Sequence, residues 1–595
     1  MKLSTFAQYL KRLEETTLRN EITKILGALF KKANEQEIDK IVYLCLGRLK
    51  PAYAGLEFNI AEKMMIKIMA LAFNKPEKEI SVHLKNSGDL GETAFYFKKE
   101  KKSTFKKMSV SQLYDRLLEI ANEKGLGSQE RKIKLMAKLI NEVNLDFVKY
   151  LVRIPIGRLR LGFSDMTVLD ALSWMKTGKK ELRGEIEAAF SIATDAGLIA
   201  QVFKSKGLSG LRKINSQPGI PILPAKAGRL PDAQSVMEKL KKCALEPKID
   251  GFRVQIHVDR KLSKNSTPQE QGAFWKNKQE QFLIKIFSRN LENTTHMFPD
   301  IARACGRLLA KKKGLQNCIL DGEAAAMDLK TKRPLPFQKT SQRKRKYDIQ
   351  KTSKEIPLTV FIFDLLLYNN ESLLKNTFIQ RRKKLEKLFN FKDETLKLTP
   401  QKIVSKTKQL MKEFDQAAFE GWEGLVCKKL ESVYQPGARN HNWVKFKKSM
   451  DTKLADTLDC LVLGYYRGKG KRTSFGIGAF LAGVYDPFKN QFPTIAKIGT
   501  GLTDKQWMIL RKKCDQVKTK LKPKQYLVNK NLNPDVWCLP GVVVEIEADE
   551  ITKSPIHTAS KGLALRFPRL KRFRDKKPEQ ITSVTEVLQL HEIQK

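Results

Sequence analysis

Lys248 opens the run Lys248-Ile249-Asp250-Gly251-Phe252-Arg253, which sets an amine, a carboxylate and a guanidinium around a turn glycine at the mouth of a strand. Neighbouring cations and partial burial depress the pKa of a lysine, and the neutral amine is a nucleophile. Alone the run is of moderate specificity, since a solvated strand edge also collects these residue types. It does not stand alone. Ser288-Arg289-Asn290 follows a buried strand, Leu320-Asp321-Gly322-Glu323 puts a carboxylate at another strand end, and Phe361-Ile362-Phe363-Asp364 places an aromatic beside an acid. Glu423-Gly424-Leu425-Val426-Cys427-Lys428 brings a second carboxylate. Trp443-Val444-Lys445-Phe446-Lys447 carries two lysines two residues apart, on one face if they lie on a strand. Arg574-Asp575-Lys576 lies near the C-terminus.

Each cluster also has a plainer reading. Phe363 sits in an apolar run, where a core aromatic is the default. Glu323 and Glu423 read equally as strand-end acids pairing with surplus lysines, and Asp321 or Asp364 are the carboxylates most easily confused with them. Arg574 belongs to the basic run Lys571-Arg572-Phe573-Arg574, where a solvated or DNA-facing role is as economical. Asp250 reads also as a residue that bonds the turn. His257 alternates with strand residues and reads as structural or exposed rather than as a general base.

The elements that must position these residues fall into three stretches. The first is helical: Ile22, Ile25, Leu26, Leu29 and Phe30 follow an amphipathic stripe, and Leu113, Leu117, Leu118 and Ala121 repeat it before Gly125, a plausible stop. Similar patterns predict helices through 59–73, 130–152 and 180–204, with Lys98 to Lys102 as a solvated basic loop. Prolines and glycines cluster from Pro218 to Pro231, as at a domain boundary, and strands follow. Phe252, Val254, Ile256 and Val258 alternate with Arg253, Gln255 and His257 as in a half-buried strand, while Leu283–Phe287 and Leu358–Leu367 read as more fully buried ones. A third stretch begins near Met450–Asp456. Its short strands, including Leu461–Tyr466 and Gly541–Glu547, predict a small β-barrel closed by a short helix from Val584 to Ile593.

At 595 residues the chain exceeds one hydrophobic core, and two to four domains are expected. Lys and Arg number 112 against 64 Asp and Glu, a formal net charge of +48, which calls for a polyanionic partner, and nucleic acid leads on charge alone. No run of about 18 apolar residues spans a bilayer, and Met1–Phe6 leads into no signal-like apolar stretch, so no membrane role is expected. The eight cysteines are scattered without a Cys-x-x-Cys pair, against a zinc site or a disulfide framework.

Taken in order, these clusters resemble the covalent nucleotidyltransferases, and most closely the ATP-dependent DNA ligases of the archaeal and eukaryotic replicative type. The resemblance spans nearly the whole chain and includes Arg439-Asn440-His441-Asn442-Trp443-Val444-Lys445-Phe446-Lys447 and Pro555-Ile556-His557-Thr558 leading to Leu565–Arg569. It implies a multidomain α+β chain: an all-α DNA-binding domain over 1–216, an adenylation domain of antiparallel sheets with helices over 217–450, and an OB-fold over 451–595 with its terminal helix. It implies that Lys248 takes AMP from ATP and that the AMP passes to the 5′-phosphate of a nick in duplex DNA. The 3′-hydroxyl then displaces it, in replication, repair and recombination. Glu246 then reads the adenine amino group and Phe363 stacks on the base. Arg253 and Arg289 contact ribose or phosphates, and Arg439, Lys445 and Lys447 serve the nucleotide. Glu323 is a nucleotide contact and, with Glu423, a hard ligand for Mg²⁺ or Mn²⁺. Arg574 and Lys576 orient the pyrophosphate, on a barrel that closes in turn on ATP and on the duplex.

The same resemblance implies a monomer in the cytoplasm, associated with the nucleoid, or in the nucleus if the source is eukaryotic. Two places depart from the pattern: the polar stretch Arg260 to Gln281 stands where relatives have a tight hairpin, and the clamp-binding peptide expected near Lys102-Ser103-Thr104-Phe105 lacks its glutamine and paired aromatics, which puts sliding-clamp association in doubt. Rival readings are an RNA ligase or GTP-using capping enzyme of the same superfamily, and a DNA-binding protein that only retains the fold. The latter predicts a lost lysine or carboxylate, and neither is lost.

Overall fold

Long amphipathic stripes become helices and alternating or apolar runs become strands, but the breaks are set by local bonds that the stripes do not show. A computed structural model describes residues 1–101, 106–157, 159–261, 282–328, 330–331, 333–345, 347–447, 456–468, 472 and 475–593. Among these, helices occupy the stretch from Leu3 to Arg212, around a core that includes Phe6, Phe30, Leu117 and Phe147. The single helix expected over 130–152 is two, Ser128–Glu142 and Leu145–Arg153, because Val143 turns extended and Asn144 restarts the chain. The one expected over 180–204 is likewise divided into Arg183–Ile192 and Ala196–Arg212. Asp195 caps the second by accepting from the Leu198 N–H at 3.1 Å. Gly125 lies beyond its helix, which ends at Asn122.

The basic loop expected at Lys98 to Lys102 starts inside a helix, Leu90–Glu100. Lys98 is buried and donates to the carbonyls of Ile140 and Asn141, at 2.8 and 3.2 Å. Those oxygens belong to the open C-terminal end of helix Ser128–Glu142, where an ammonium satisfies carbonyls that have no partner in the helix.

Eleven strands follow within the compact unit Met1–Lys447: β1 (Lys226–Gly228), β2 (Cys243–Pro247), β3 (Phe252–Asp259), β4 (Leu283–Ser288), β5 (Asn317–Ala326), β6 (Leu358–Tyr368), β7 (Glu371–Ser372), β8 (Leu396–Leu398), β9 (Lys402–Val404), β10 (Gly424–Lys429) and β11 (Arg439–Lys447). They form two sheets, β1-β11-β10-β2-β9 and β4-β3-β5-β6-β7, with β8 added to β6. Pairing is antiparallel except for β1 with β11 and β8 with β6. Both sheets converge on the short link between β2 and β3, where Lys248 sits.

Strand β3 is not half-buried. Gln255 and His257 face inward and hold the segment that leads in from the helices. The Gln255 side chain accepts from the Ile222 N–H at 2.8 Å and donates to the Ile222 carbonyl at 3.2 Å, and His257 Nδ1 accepts from the Gly219 N–H at 3.1 Å. Burial, with Lys285 and Arg253 nearby, pushes the His257 pKa down to about 3, so the ring stays neutral and able to accept. His257 is structural.

The unit Lys448–Lys595 is built on β12 (Leu458–Tyr466), which pairs with β13 (Ala479–Gly483) along one edge. Its other edge is shared by two strands further along the chain, Val536–Cys538 beside Gly464 and Tyr465, and Val543–Glu547 beside Leu458 to Leu461. A strand shared in this way is how a short sheet coils into the OB-type β domain. Gly464 permits it: a Cβ there would lie 2.6 Å from both Pro534 Cγ and the Val536 carbonyl oxygen. Val584–Ile593 is a helix.

Candidate active site

Lys248 directly follows β2, and two backbone bonds pin it opposite Glu423. Its N–H donates to the Gly424 carbonyl at 2.8 Å, and the Glu423 N–H donates to the Lys248 carbonyl at 3.1 Å. The side chains meet accordingly: Lys248 Nζ donates to Glu423 Oε2, and Lys447 Nζ to Oε1. Two glycines make this approach possible. Gly424, with φ +138°, would put a Cβ 2.3 Å from the Phe446 carbonyl oxygen, and Gly251 would put one 2.3 Å from that of Ala324. Gly251→Ala is therefore expected to push β3 from β5 just beyond the nucleophile. Single-turnover formation of a nucleotide adduct should fall about 100-fold, the usual penalty for misplacing a reacting group by an ångström.

Arg253 lies across from Glu323 in the register of β3 and β5. Its Nη2 contacts Asp321 Oδ2 at 2.7 Å, and the Tyr434 hydroxyl donates to the same oxygen at 3.1 Å. Asp364, opposite Asp321, is held by Arg381 through two bonds of 2.7 and 2.9 Å, both groups fully buried. The two acids most easily mistaken for cation ligands are thus consumed by arginines. Glu323 is not. Burial drives its pKa up to about 7 against the opposing pull of Lys248 and Arg253. A carboxylate that three cations act on without an ion pair to any of them, near a lysine that also contacts Glu423, fits a divalent hard cation. The described residues offer no cluster of three or more His, Cys, Asp or Glu, so phosphate and water oxygens must complete the shell, as is usual for Mg²⁺.

On the other side of Lys248, Glu246 is buried on β2 and bonded to Lys428 Nζ at 2.6 Å, with Gln401 Nε2 donating at 3.2 Å. Lys428 Nζ lies 4.6 Å from the Phe363 ring centroid and 4.5 Å from that of Trp443, whose ring meets Phe363 edge-on. Phe363 is half-buried, so the core reading and the exposed-platform reading each describe part of it. Lys428 was not singled out as a site residue. Its signal was a lysine at the end of a strand of Leu, Val and Cys.

Arg289 and Arg439 are exposed, and Lys445 is half-buried. Burial, then the charges of Arg229, Lys248, Arg439 and Arg289, hold the Lys445 amine below its ordinary value. No carboxylate among the described residues pairs with Arg229, Arg289, Arg439 or Lys445. This is a surplus of positive charge beside the nucleophile, only partly offset by Glu323. Arg574 and Lys576, in the C-terminal unit, share Asp459 at 3.3 and 2.6 Å, and Arg574 also reaches Glu545 at 3.4 Å. The clamp-peptide position at 102–105 and residues 262–281 of the long polar stretch lie outside the described residues.

Comparison with known proteins agrees along the length. Residues 2–173 match a model of the DNA ligase N terminus, 275–447 one of the ATP dependent DNA ligase domain, and 473–577 one of the ATP dependent DNA ligase C terminal region. A probable DNA ligase of Dictyoglomus turgidum is 42% identical over 602 residues, covering 100% of this chain and 98% of its own. DNA ligase 2 of Thermofilum pendens is 37% identical over 617 residues, covering 100% and 97%. A solved structure titled Pmar-Lig_Pre. is 17% identical and covers 96% of this chain and 99% of its own, with a TM-score of 0.55, a likeness of fold.

Proposed function

The chain belongs to the ATP-dependent DNA ligases, and on that footing we propose that Lys248 is the residue that carries AMP through the reaction. The enzyme seals nicks in duplex DNA through an adenylated intermediate. Lys248 Nζ forms a bond to the α-phosphorus of ATP and pyrophosphate leaves. The 5′-phosphate oxygen of the nick then takes the AMP from the lysine, and the 3′-hydroxyl attacks that phosphate and releases AMP. The observation that carries this reading is the placement of Lys248 against the Glu423 carboxylate and within the field of the buried Glu323, beside a cluster of cations that form no ion pair among the described residues.

The residues divide the work by what they touch. Glu246, held by Lys428 and Gln401, presents a carboxylate oxygen to the adenine amino group, and Phe363 offers its free ring surface to the base. Arg253, anchored on Asp321, turns its unpartnered Nη1 toward the ribose. Arg289, Arg439 and Lys445 balance phosphate charge as it develops in each transfer. Lys447 and Lys248 keep Glu423 oriented until nucleotide arrives. Glu323 and Glu423 would hold Mg²⁺, or Mn²⁺ in its place, which when bound screens the phosphate oxygens. In the C-terminal unit, Arg574 and Lys576 orient the pyrophosphate.

The proposed domain roles follow the charge: residues 1–216 grip DNA through phosphates, 217–450 carry out adenylation, and 451–595 form the mobile OB domain. No helix among the described residues is long and apolar enough to cross a membrane. The proposed working form is a monomer in the cytoplasm. The test is a nicked duplex with a labelled 5′-phosphate, incubated with ATP and Mg²⁺. A sealed strand is expected, and an unsealed nick under conditions where the protein binds the duplex would sink the reading. ADP and GTP, run in parallel, report nucleotide choice.

A further inference from the structure

The sheet that ends at Lys447 brings one more arginine to the reaction centre. β1 is its edge strand and runs parallel to β11, with Lys226 opposite Arg439 and Ala227 opposite Asn440. The register then jumps, so that Gly228 lies opposite Val444. Glycine allows the jump: a Cβ at Gly228 would come 2.8 Å from the Asn440 carbonyl oxygen and 3.0 Å from His441 Cδ2. The next residues on the two chains are Arg229 and Lys445. An irregular pairing, held by a glycine that nothing larger replaces, thus sets Arg229 beside a cation of the site.

An exposed arginine on a chain of net charge +48 is ordinarily a solvated one. Arg229 differs in its company. Arg229, Arg439 and Arg289 all act on Lys445 here, and no carboxylate among the described residues forms an ion pair with any of the four. Glu323, which Arg289 and Lys248 pull on, is an acid near this group, and one carboxylate does not balance four like charges, which favours drawing in an anion. Arg229 follows the last residue of the edge strand and is exposed, and a guanidinium fork can take a phosphate in two bonds. We propose that Arg229 is a phosphate-contacting residue of the reaction centre, taking a phosphate of the ATP tail or the 5′-phosphate of the nick. The proposal rests on the reading of Lys248 as the adenylated residue.

Arg229→Ala and Arg229→Glu in the full chain test it, with each step followed in a single turnover. Adduct formation is measured across a range of ATP concentrations, and sealing is measured with enzyme adenylated beforehand. One step is expected to slow about 10- to 100-fold in the alanine variant, and further in the glutamate variant, with the melting temperature unchanged. Slowing of the first step assigns the ATP tail, and slowing of the second assigns the nick phosphate. If both steps in Arg229→Glu stay within about twofold of the parent, or slow only in proportion to a fall in melting temperature, the proposal is overturned. Lys248→Ala, labelled alongside, separates this outcome from failure of the site reading, since an adduct on that variant removes the reading whatever Arg229 does.

Discussion

Lys248→Ala is expected to give no covalent adduct when the protein is incubated with ATP labelled in its α-phosphate and Mg²⁺. The expectation is stronger than for an ordinary active-site substitution, because the bond to phosphorus is lost rather than weakened. Of the other amines nearby, two are tethered to acids, and Lys445, which is not, is the first to check should label persist. Lys447 is held on the far oxygen of Glu423, and Lys428 is buried against Glu246. Lys248→Arg should fail equally, since a guanidinium stays protonated. Three other readouts should barely move. Duplex binding draws on phosphate contacts spread over a chain of net charge +48, so its salt dependence should persist. Stability should change by about 1 kcal/mol or less, because the lost ion pair is part-exposed. Sealing of a nick that already carries AMP on its 5′-phosphate should also survive, since the last displacement makes no bond to lysine. Label retained on Lys248→Ala would transfer the nucleophile to another residue.

The parts of this site that were legible in the sequence are those whose side chains follow from strand alternation and order. Two lysines two apart on β11 share a face, and Lys447 does reach Glu423. Lys248 and Glu423 are 175 positions apart, and only the succession of short clusters pointed to their meeting. Choices that depend on partners from another element were not legible. Nothing local distinguishes Asp321 and Asp364 from Glu323 as cation ligands. Their fates are set by Arg253, 68 positions from Asp321, and by Arg381, 17 positions from Asp364 in the first turn of the next helix. Gln255 looked solvent-facing because it alternates with apolar residues, and His257 read as either structural or exposed, yet both are buried and bond the segment at Gly219 and Ile222. Lys98 looked solvated because charge runs usually are, and the helix end that claims it lies 42 and 43 positions later, at Ile140 and Asn141. Arg229 carries no motif and is one of 112 basic residues. Only the register of β1 on β11 marks it.

Arg381→Ala is expected to cost about 3–5 kcal/mol of stability, the usual penalty for stripping one partner from a buried ion pair. Arg381 is fully buried, binds both oxygens of Asp364, and donates also to the Asn376 carbonyl at 2.7 Å. Removing it strands a buried carboxylate directly across β5 and β6 from Asp321, itself buried and matched by Arg253 alone among the guanidinia. The two acids then share one cation in a medium that screens them poorly. Part of the cost is recoverable. Asp364→Leu combined with Arg381→Leu leaves no stranded charge and should regain most of the loss, less the bonds Arg381 made to backbone carbonyls. A double-mutant cycle read by chemical denaturation measures the coupling, and a single-variant loss within about 1 kcal/mol of the parent would show that water or another cation replaces Arg381. The functional consequence runs through one peptide bond. Phe363 precedes Asp364 on β6, so a shift there moves the ring proposed to carry the base. Under conditions where Arg381→Ala remains folded, it should raise the ATP concentration needed for adduct formation more than it lowers the maximal rate. Lys248→Ala should form no adduct at any ATP concentration, and that contrast separates a residue that bonds to the nucleotide from one that only shapes its pocket.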